Sequence, residues 1–234
     1  MKVTSKQIYL IGAGVLLVIL LIIFVNKIFA DRNLPDNLLV DDVKAESFKP
    51  ASQPTISTDE KVIGSTGAAV KMVVYEDYSN IFSADNAANI KQLEEDFGSK
   101  IVVAVRPYAT REKPLSLEAA MAVECAAEQD KWSEMRDGIF RAVKSDSLNS
   151  DGIIGWAKQI NLDEEKFNQC LTDVKKQGIM LQVAVDAQQF SVYGAPTIFI
   201  NNELIVGARP YEDYVSEDGE KIAGLKSLIS QYLK

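Results

Sequence analysis

Two cysteines and no histidine set the chemistry open to this chain of 234 residues. Without histidine there is no imidazole general base, no Ser-His triad and no His-ligated metal. Two cysteines are too few for a cysteine-rich zinc site. Cys125 and Cys170 are far apart and neither has CxxC spacing. They could pair, remain two buried thiols or take part in redox chemistry. The other candidate groups gather at one junction. Residues 70 to 83 read Val-Lys-Met-Val-Val-Tyr-Glu-Asp-Tyr-Ser-Asn-Ile-Phe-Ser: a β-branched run enters a polar turn, and a helix follows. Asn80 and Ser83 suit the start of that helix, where a side-chain oxygen accepts a backbone N–H that has no partner within the helix. They could also hydrogen-bond a bound chain. Glu76 and Asp77 read as solvated acids at a strand end. Gly194-Ala195-Pro196-Thr197 forms a second loop of interest before another strand. The formal charge of −8 argues against a nucleic-acid partner. No metal or cofactor is expected.

The elements that must position these groups follow from periodicity. Lys71–Tyr78 is a predicted strand. Ser83–Phe97 is a predicted helix, with Ala87, Ile90, Leu93 and Phe97 on one face and Gly98 closing it. Ile101–Val105 is a continuous apolar strand, as expected of a sheet covered on both faces. This β-α-β order implies a parallel pair. Helical patterns then run from Ser116 or Leu117 to Gln129, Lys131 to Val143, Asp151 to Gln159, Leu162 to Leu171 and Val174 to Phe190. Trp132 and Trp156 read as core anchors of this stretch. A strand over Gly194–Ile200, a turn at Asn201-Asn202 and a returning strand at Glu203–Val206 make a hairpin. Tyr211–Leu233 reads as a last helix interrupted around Ser216–Gly219.

Ahead of this lies an apolar stretch. Ile8 to Val25 carries no charge. At about 1.5 Å per residue it spans roughly 27 Å, close to the hydrocarbon thickness of a bilayer. Asn26 to Phe29 can extend it into the interface. Ile28 makes a poor −3 residue for cleavage after Ala30, so an uncleaved anchor is expected rather than a signal peptide. Lys2 and Lys6 precede the run, while Lys27 and Arg32 follow it, so the charge bias for orientation is weak. Residues 31 to about 60 are rich in Pro and polar residues and read as a tether.

The order of strand, helix, strand, helical insertion, Ala-Pro-Thr strand, hairpin strand and helix resembles a thioredoxin fold with an inserted helical domain. It is similar to the DsbA-like family of bacterial extracytoplasmic disulfide oxidoreductases. The resemblance covers about Val62 to Lys234. It rests on Val62-Ile63-Gly64, Ala69-Val70, Asp77-Tyr78, Glu124 to Gln129 with Lys131-Trp132, Phe167, Cys170-Leu171 and Gly194-Ala195-Pro196-Thr197. Three departures cluster where that family does its chemistry. Its CxxC positions align with Asn80, Ile81, Phe82 and Ser83, and the proline often found between its cysteines aligns with Ile81. The buried acid that many members place six residues before the first cysteine aligns with Val74. Neither Asn nor Ser can attack a disulfide, because that step needs a thiolate.

The resemblance implies an α/β thioredoxin fold with an inserted helical domain, and the apolar run adds one N-terminal transmembrane helix. The parts expected of the chain are a short cytoplasmic N-terminus (1–7), a transmembrane signal anchor (8–29), a tether (30–61) and a DsbA-like domain (62–234) whose helical insertion covers about 113–190. The resemblance implies a structural disulfide between Cys125 and Cys170, which needs an oxidising compartment and so places the domain outside the cytoplasm. It implies a cis bond at Pro196, with backbone groups of Ala195 and the side chain of Asn80 available to an extended protein or peptide partner. The expected function is a peptide-binding or chaperone-like module without catalytic residues. One alternative is a thiol–disulfide oxidoreductase acting through Cys125 and Cys170 or through partner thiols. A minor one is a glutathione transferase of the kappa type, a related fold that uses Ser at the first-cysteine position. Here Asn80 occupies that position and Ser79 lies one residue early.

Overall fold

Strand β2 (Val70–Glu76) is the centre of the domain, and its sequence explains why. Six of its seven residues are buried, so the β-branched run feeds two cores at once. The computed structural model describes residues 52–58 and 60–234. The predicted anchor 8–29 and the tether up to residue 51 lie outside the described residues. Among the described residues no helix is long and apolar enough to cross a membrane.

Five strands form one sheet in the order β1-β3-β2-β4-β5. These are β1 (Val62–Gly64), β3 (Ile101–Pro107), β2, β4 (Thr197–Ile200) and β5 (Glu203–Val206). β2 and β3 are parallel, with Val74 beside Val105. β4 is antiparallel to β2, with Ile198 beside Val74. Helix α1 (Ile81–Phe97) connects β2 to β3. Ile90 and Leu93 of α1 pack with Val70, Met72, Val74 and Ile198 on one face of the sheet. Leu225, Leu228 and Ile229 of the last helix, α7 (Leu225–Tyr232), complete that cluster. On the other face Val73, Tyr75, Ala104 and Phe199 meet Ala187 and Val192.

The insertion is helical throughout: α2 (Pro114–Ala127), α3 (Trp132–Lys144), α4 (Ser150–Gln159), α5 (Glu164–Leu171) and α6 (Val174–Ala187). Its own core gathers Met121, Met135, Ile139, Phe140, Ile153, Phe167 and Met180. Asn149, Asp163 and Asp173 cap α4, α5 and α6 through side-chain oxygens. Trp132 and Trp156 are half-buried latches rather than fully buried anchors. Trp156 lies across Gly138, where any Cβ would come within 2.0 Å of its indole nitrogen. The same indole N–H donates to the Glu134 carbonyl at 3.0 Å. Trp132 packs against both the insertion core and the α1 face of the sheet.

Two stretches differ from the expectations. The segment from Tyr211 is not helical until Leu225. It forms a short hairpin of β6 (Tyr214–Val215) and β7 (Lys221–Ile222), turned by Gly219 at φ +87°. Gly224 then passes so close to the Glu212 backbone that a Cβ would meet it at 2.3 Å. The interruption was visible in the sequence, but two-residue strands lie below what periodicity resolves. Secondly, the C-terminal end of the segment read as a tether lies on the domain. Pro54 is buried, Ile56 packs on the Tyr75 face of the sheet, and Arg106 binds both the Thr55 carbonyl and Glu60.

Candidate functional site

The site is built where β2 gives way to α1. Glu76 ends the strand with its carbonyl accepting from Tyr108 N–H. Asp77 then organises the turn. Its carboxylate accepts from Ser79 N–H at 2.9 Å, from the Ser79 hydroxyl at 2.7 Å, from the Ser116 hydroxyl at 2.7 Å and from Lys113 Nζ at 3.1 Å. Burial alone would raise this carboxyl, but the bonds from Ser116, Ser79 and Lys113 outweigh it and hold Asp77 below the ordinary carboxylate range. Since Lys113 and Ser116 bracket the start of α2, Asp77 ties the turn to the insertion.

Glu76 makes the second tie. Arg136 of α3 binds it through two parallel bonds, Nε to Oε2 at 2.8 Å and Nη2 to Oε1 at 2.6 Å. The guanidinium lies 5.5 Å from the Trp132 ring centre and 5.2 Å from that of Phe140. Burial would lower the Arg136 pKa, and the Glu76 charge more than compensates, so it is raised. Tyr78 beside them is fully enclosed, and burial with the Glu76 charge pushes its phenol up. Glu76 and Asp77 are only 0% and 3% exposed, which corrects their reading as solvated acids. They are buried anchors between sheet and insertion. The sequence held one sign of this. Arg136 sits on the same helical face as Trp132, Met135, Ile139 and Phe140, and a cation inside an apolar stripe needs a buried anion.

Asn80 caps α1, its Oδ1 accepting from Phe82 N–H at 2.8 Å. Its Nδ2 reaches across to the Ala195 carbonyl at 3.4 Å. The Ala195–Pro196 bond is cis. The structure thus brings Asn80, Ala195 and Pro196 together. Ser83 does not share their position. It is fully buried, and its hydroxyl accepts the Asp77 backbone N–H at 3.2 Å. Ser83 is therefore a lock within the turn and cannot meet a bound chain. Ile81 and Phe82 face outward, with Phe82 60% exposed. Tyr193, just before the Pro196 loop, is 75% exposed. Val206 at the end of β5 is 76% exposed and stands beside Thr197 in the ladder. The next residue, Gly207, donates to the Pro196 carbonyl at 2.9 Å. One turn beyond Ser83, Asn86 is fully buried, and neither its amide nitrogen nor its oxygen has a partner.

The two cysteines lie elsewhere, in the insertion. Cys125 of α2 and Cys170 of α5 form a disulfide with an S–S distance of 2.00 Å. Among the described residues no group of His, Cys, Asp and Glu is placed to hold a metal ion.

The sequence profile of the Thioredoxin family matches residues 57–216, from the packed segment before β1 through the Pro196 loop to β6. The chain belongs to this thioredoxin family. Among solved structures this DsbA-like chain is similar to oxidised BdbD from Bacillus subtilis, with TM-score 0.63 and 19% identity over 78% of this chain and 97% of that one. It is also similar to the thiol-disulfide exchange protein alpha-DsbA2 from Wolbachia pipientis, with TM-score 0.56 and 26% identity over 66% and 83% of the two chains. A curated relative, the Na(+)/H(+) antiporter NhaA 3 of Salinispora tropica, is 30% identical over 142 residues, which is 61% of this chain and 22% of that protein. The chain therefore spans under a quarter of that relative's length.

Proposed function

We propose that this DsbA-like domain holds extended or unfolded protein segments at the edge formed by Asn80, Ala195 and Pro196, and performs no thiol chemistry there. The observation that carries the reading is the rim. Ile81 and Phe82 follow Asn80 in the chain, Tyr193 precedes Pro196 by three residues and Val206 pairs with Thr197 in the ladder, and all four are large apolar side chains left in solvent. Large apolar side chains left in solvent beside the two loops that carry Asn80 and Pro196 suit an interaction surface. The Asn80–Ala195 contact supplies what an extended chain needs. The Ala195 carbonyl has two lone pairs and accepts one bond, from Asn80 Nδ2, so the other lone pair can take an incoming N–H. The relatives' redox positions correspond by resemblance to Asn80 and Ser83, and neither is a thiol. Residues 8–29 would anchor the domain in the membrane with residues 62–234 outside the cytoplasm. The matching segment of the antiporter relatives, a small part of a transport protein by name, supports a membrane setting.

The test uses the full chain in detergent micelles and a permanently unfolded client, reduced and carboxymethylated lactalbumin. Fluorescence anisotropy should show saturable binding. Phe82→Asp and Tyr193→Asp should each weaken it at least about tenfold, the loss expected when an apolar anchor is removed, while leaving the melting temperature unchanged. Binding that ignores both substitutions would refute the reading.

A further inference from the structure

The disulfide is not sealed inside the insertion. Cys125 and Cys170 both line an open surface pocket of about 340 Å³, with Glu128, Lys166, Asp173 and Lys176 as its charged members. Lys176 of α6 points its Nζ at Cys170 Sγ, 3.4 Å away, and also contacts Glu128. An ammonium at that distance does little for an intact disulfide. It does much for a thiolate, whose pKa falls beside a cation. Cys170 is the more exposed of the two residues, at 6% against 1% for Cys125, and its Sγ is the one that Lys176 reaches.

We propose that Cys125–Cys170 is a thiol–disulfide exchange site for a dithiol, with Lys176 as the residue that stabilises the Cys170 thiolate. The first thiolate of the dithiol attacks Cys170 Sγ. The S–S bond breaks and Cys125 leaves, taking a proton. The second thiolate then attacks the dithiol's own sulfur in the mixed disulfide, and Cys170 leaves as a thiolate paired with Lys176. The dithiol loses two electrons and becomes a disulfide. The protein gains them as one thiol and one thiolate, and the remaining proton goes to solvent. The site is remote from the Asn80 edge in sequence and chemistry, so it stands or falls independently of client binding there.

Two opposed substitutions test it. Lys176→Met removes the cation, and Glu128→Gln removes the anion that competes for it. Both break the same exposed salt bridge, so a merely structural bridge would make them act alike. The full chain in micelles is equilibrated with mixtures of reduced and oxidised dithiothreitol, and the free thiols are counted after acid quench. Lys176→Met should need about fivefold to tenfold more reductant for half reduction, and Glu128→Gln should need less. In the reduced protein, alkylation of Cys170 by iodoacetamide near neutral pH should be fast in wild type and slow in Lys176→Met, with the difference vanishing at alkaline pH. Shifts in the same direction for both variants, or an alkylation profile unchanged by Lys176→Met, would overturn the proposal.

Discussion

The β2–α1 junction and the α2–α5 corner divide between them features that a dithiol enzyme would keep in one place. The junction has the helix N-terminus, the cis proline loop and an exposed apolar rim, but no sulfur. The corner has both sulfurs, a cation and a surface pocket, but neither CxxC spacing nor the cis proline. The difference teaches that geometry and reactivity in this fold are separable. The junction is held by hydrogen bonds to backbone and by buried charges, so its shape does not depend on a thiol.

Breaking the ties of the junction should show this most strongly. Arg136→Met leaves Glu76 charged and buried without a partner, and should cost about 3–5 kcal/mol in urea unfolding. Adding Glu76→Met to that variant should recover most of the loss, because an apolar pair of similar volume is often as stable as a buried ion pair. At the corner, replacing both cysteines by Ala removes a link across a sequence separation of 45 residues. The chain-entropy model puts that at about 4 kcal/mol as an upper figure. Client binding at the Asn80 edge should survive in the part of the population that remains folded.

Asp77 gives a smaller and pH-dependent effect. Asp77→Asn should cost about 1–3 kcal/mol at neutral pH, the usual worth of hydrogen bonds to a charged group. The folded-state pKa of Asp77 is depressed. Its stabilisation is therefore complete above the unfolded carboxyl value of about 4 and is lost as pH falls through the folded value. The gap between wild type and Asp77→Asn should close in that acid window, and chemical unfolding at graded pH would measure it. The smallest expected change is a gain. Asn86→Leu exchanges an unpartnered buried amide for an apolar group of similar size, and should raise stability by about 1 kcal/mol.

Much of this division was legible in the sequence. The β2 run, the α1 stripe of Ala87, Ile90 and Leu93, and the Asn201-Asn202 turn announced the fold through period and turn chemistry alone. Asn80 was recognisable as a cap because Asn accepts a backbone N–H at a helix start. The buried state of Glu76 and Asp77 had one sign only, Arg136 inside an apolar stripe, and nothing local named the acids it would pair with. Their partners, Arg136, Lys113 and Ser116, are up to 60 residues away, and no local pattern carries a contact of that range. The sequence left Ser83 open between a cap at the helix start and a group that meets a bound chain, for a related reason. One helical position decides whether a hydroxyl faces a ligand or the turn behind it, and only the full path of the Asp77 backbone settles that. The exposed rim was hidden too, since tertiary packing decides that Phe82, Tyr193 and Val206 stay in solvent.

The most direct test of the junction as a thiol-free binding edge is to give it one thiol. Asn80→Cys places a sulfur beside the Ala195 carbonyl while Ser83 still supplies no resolving thiol, so any mixed disulfide formed there should persist. The variant is mixed with an unfolded client carrying a single activated cysteine, and adduct formation is followed on non-reducing gels. Lys91→Cys, on the exposed side of the same helix, is the control for simple accessibility. Binding at this edge predicts adduct formation at least about tenfold faster with Asn80→Cys, through the raised effective concentration of a bound client, and suppression of that advantage by Phe82→Asp. Equal rates at the two positions, or an advantage that Phe82→Asp leaves intact, would contradict it.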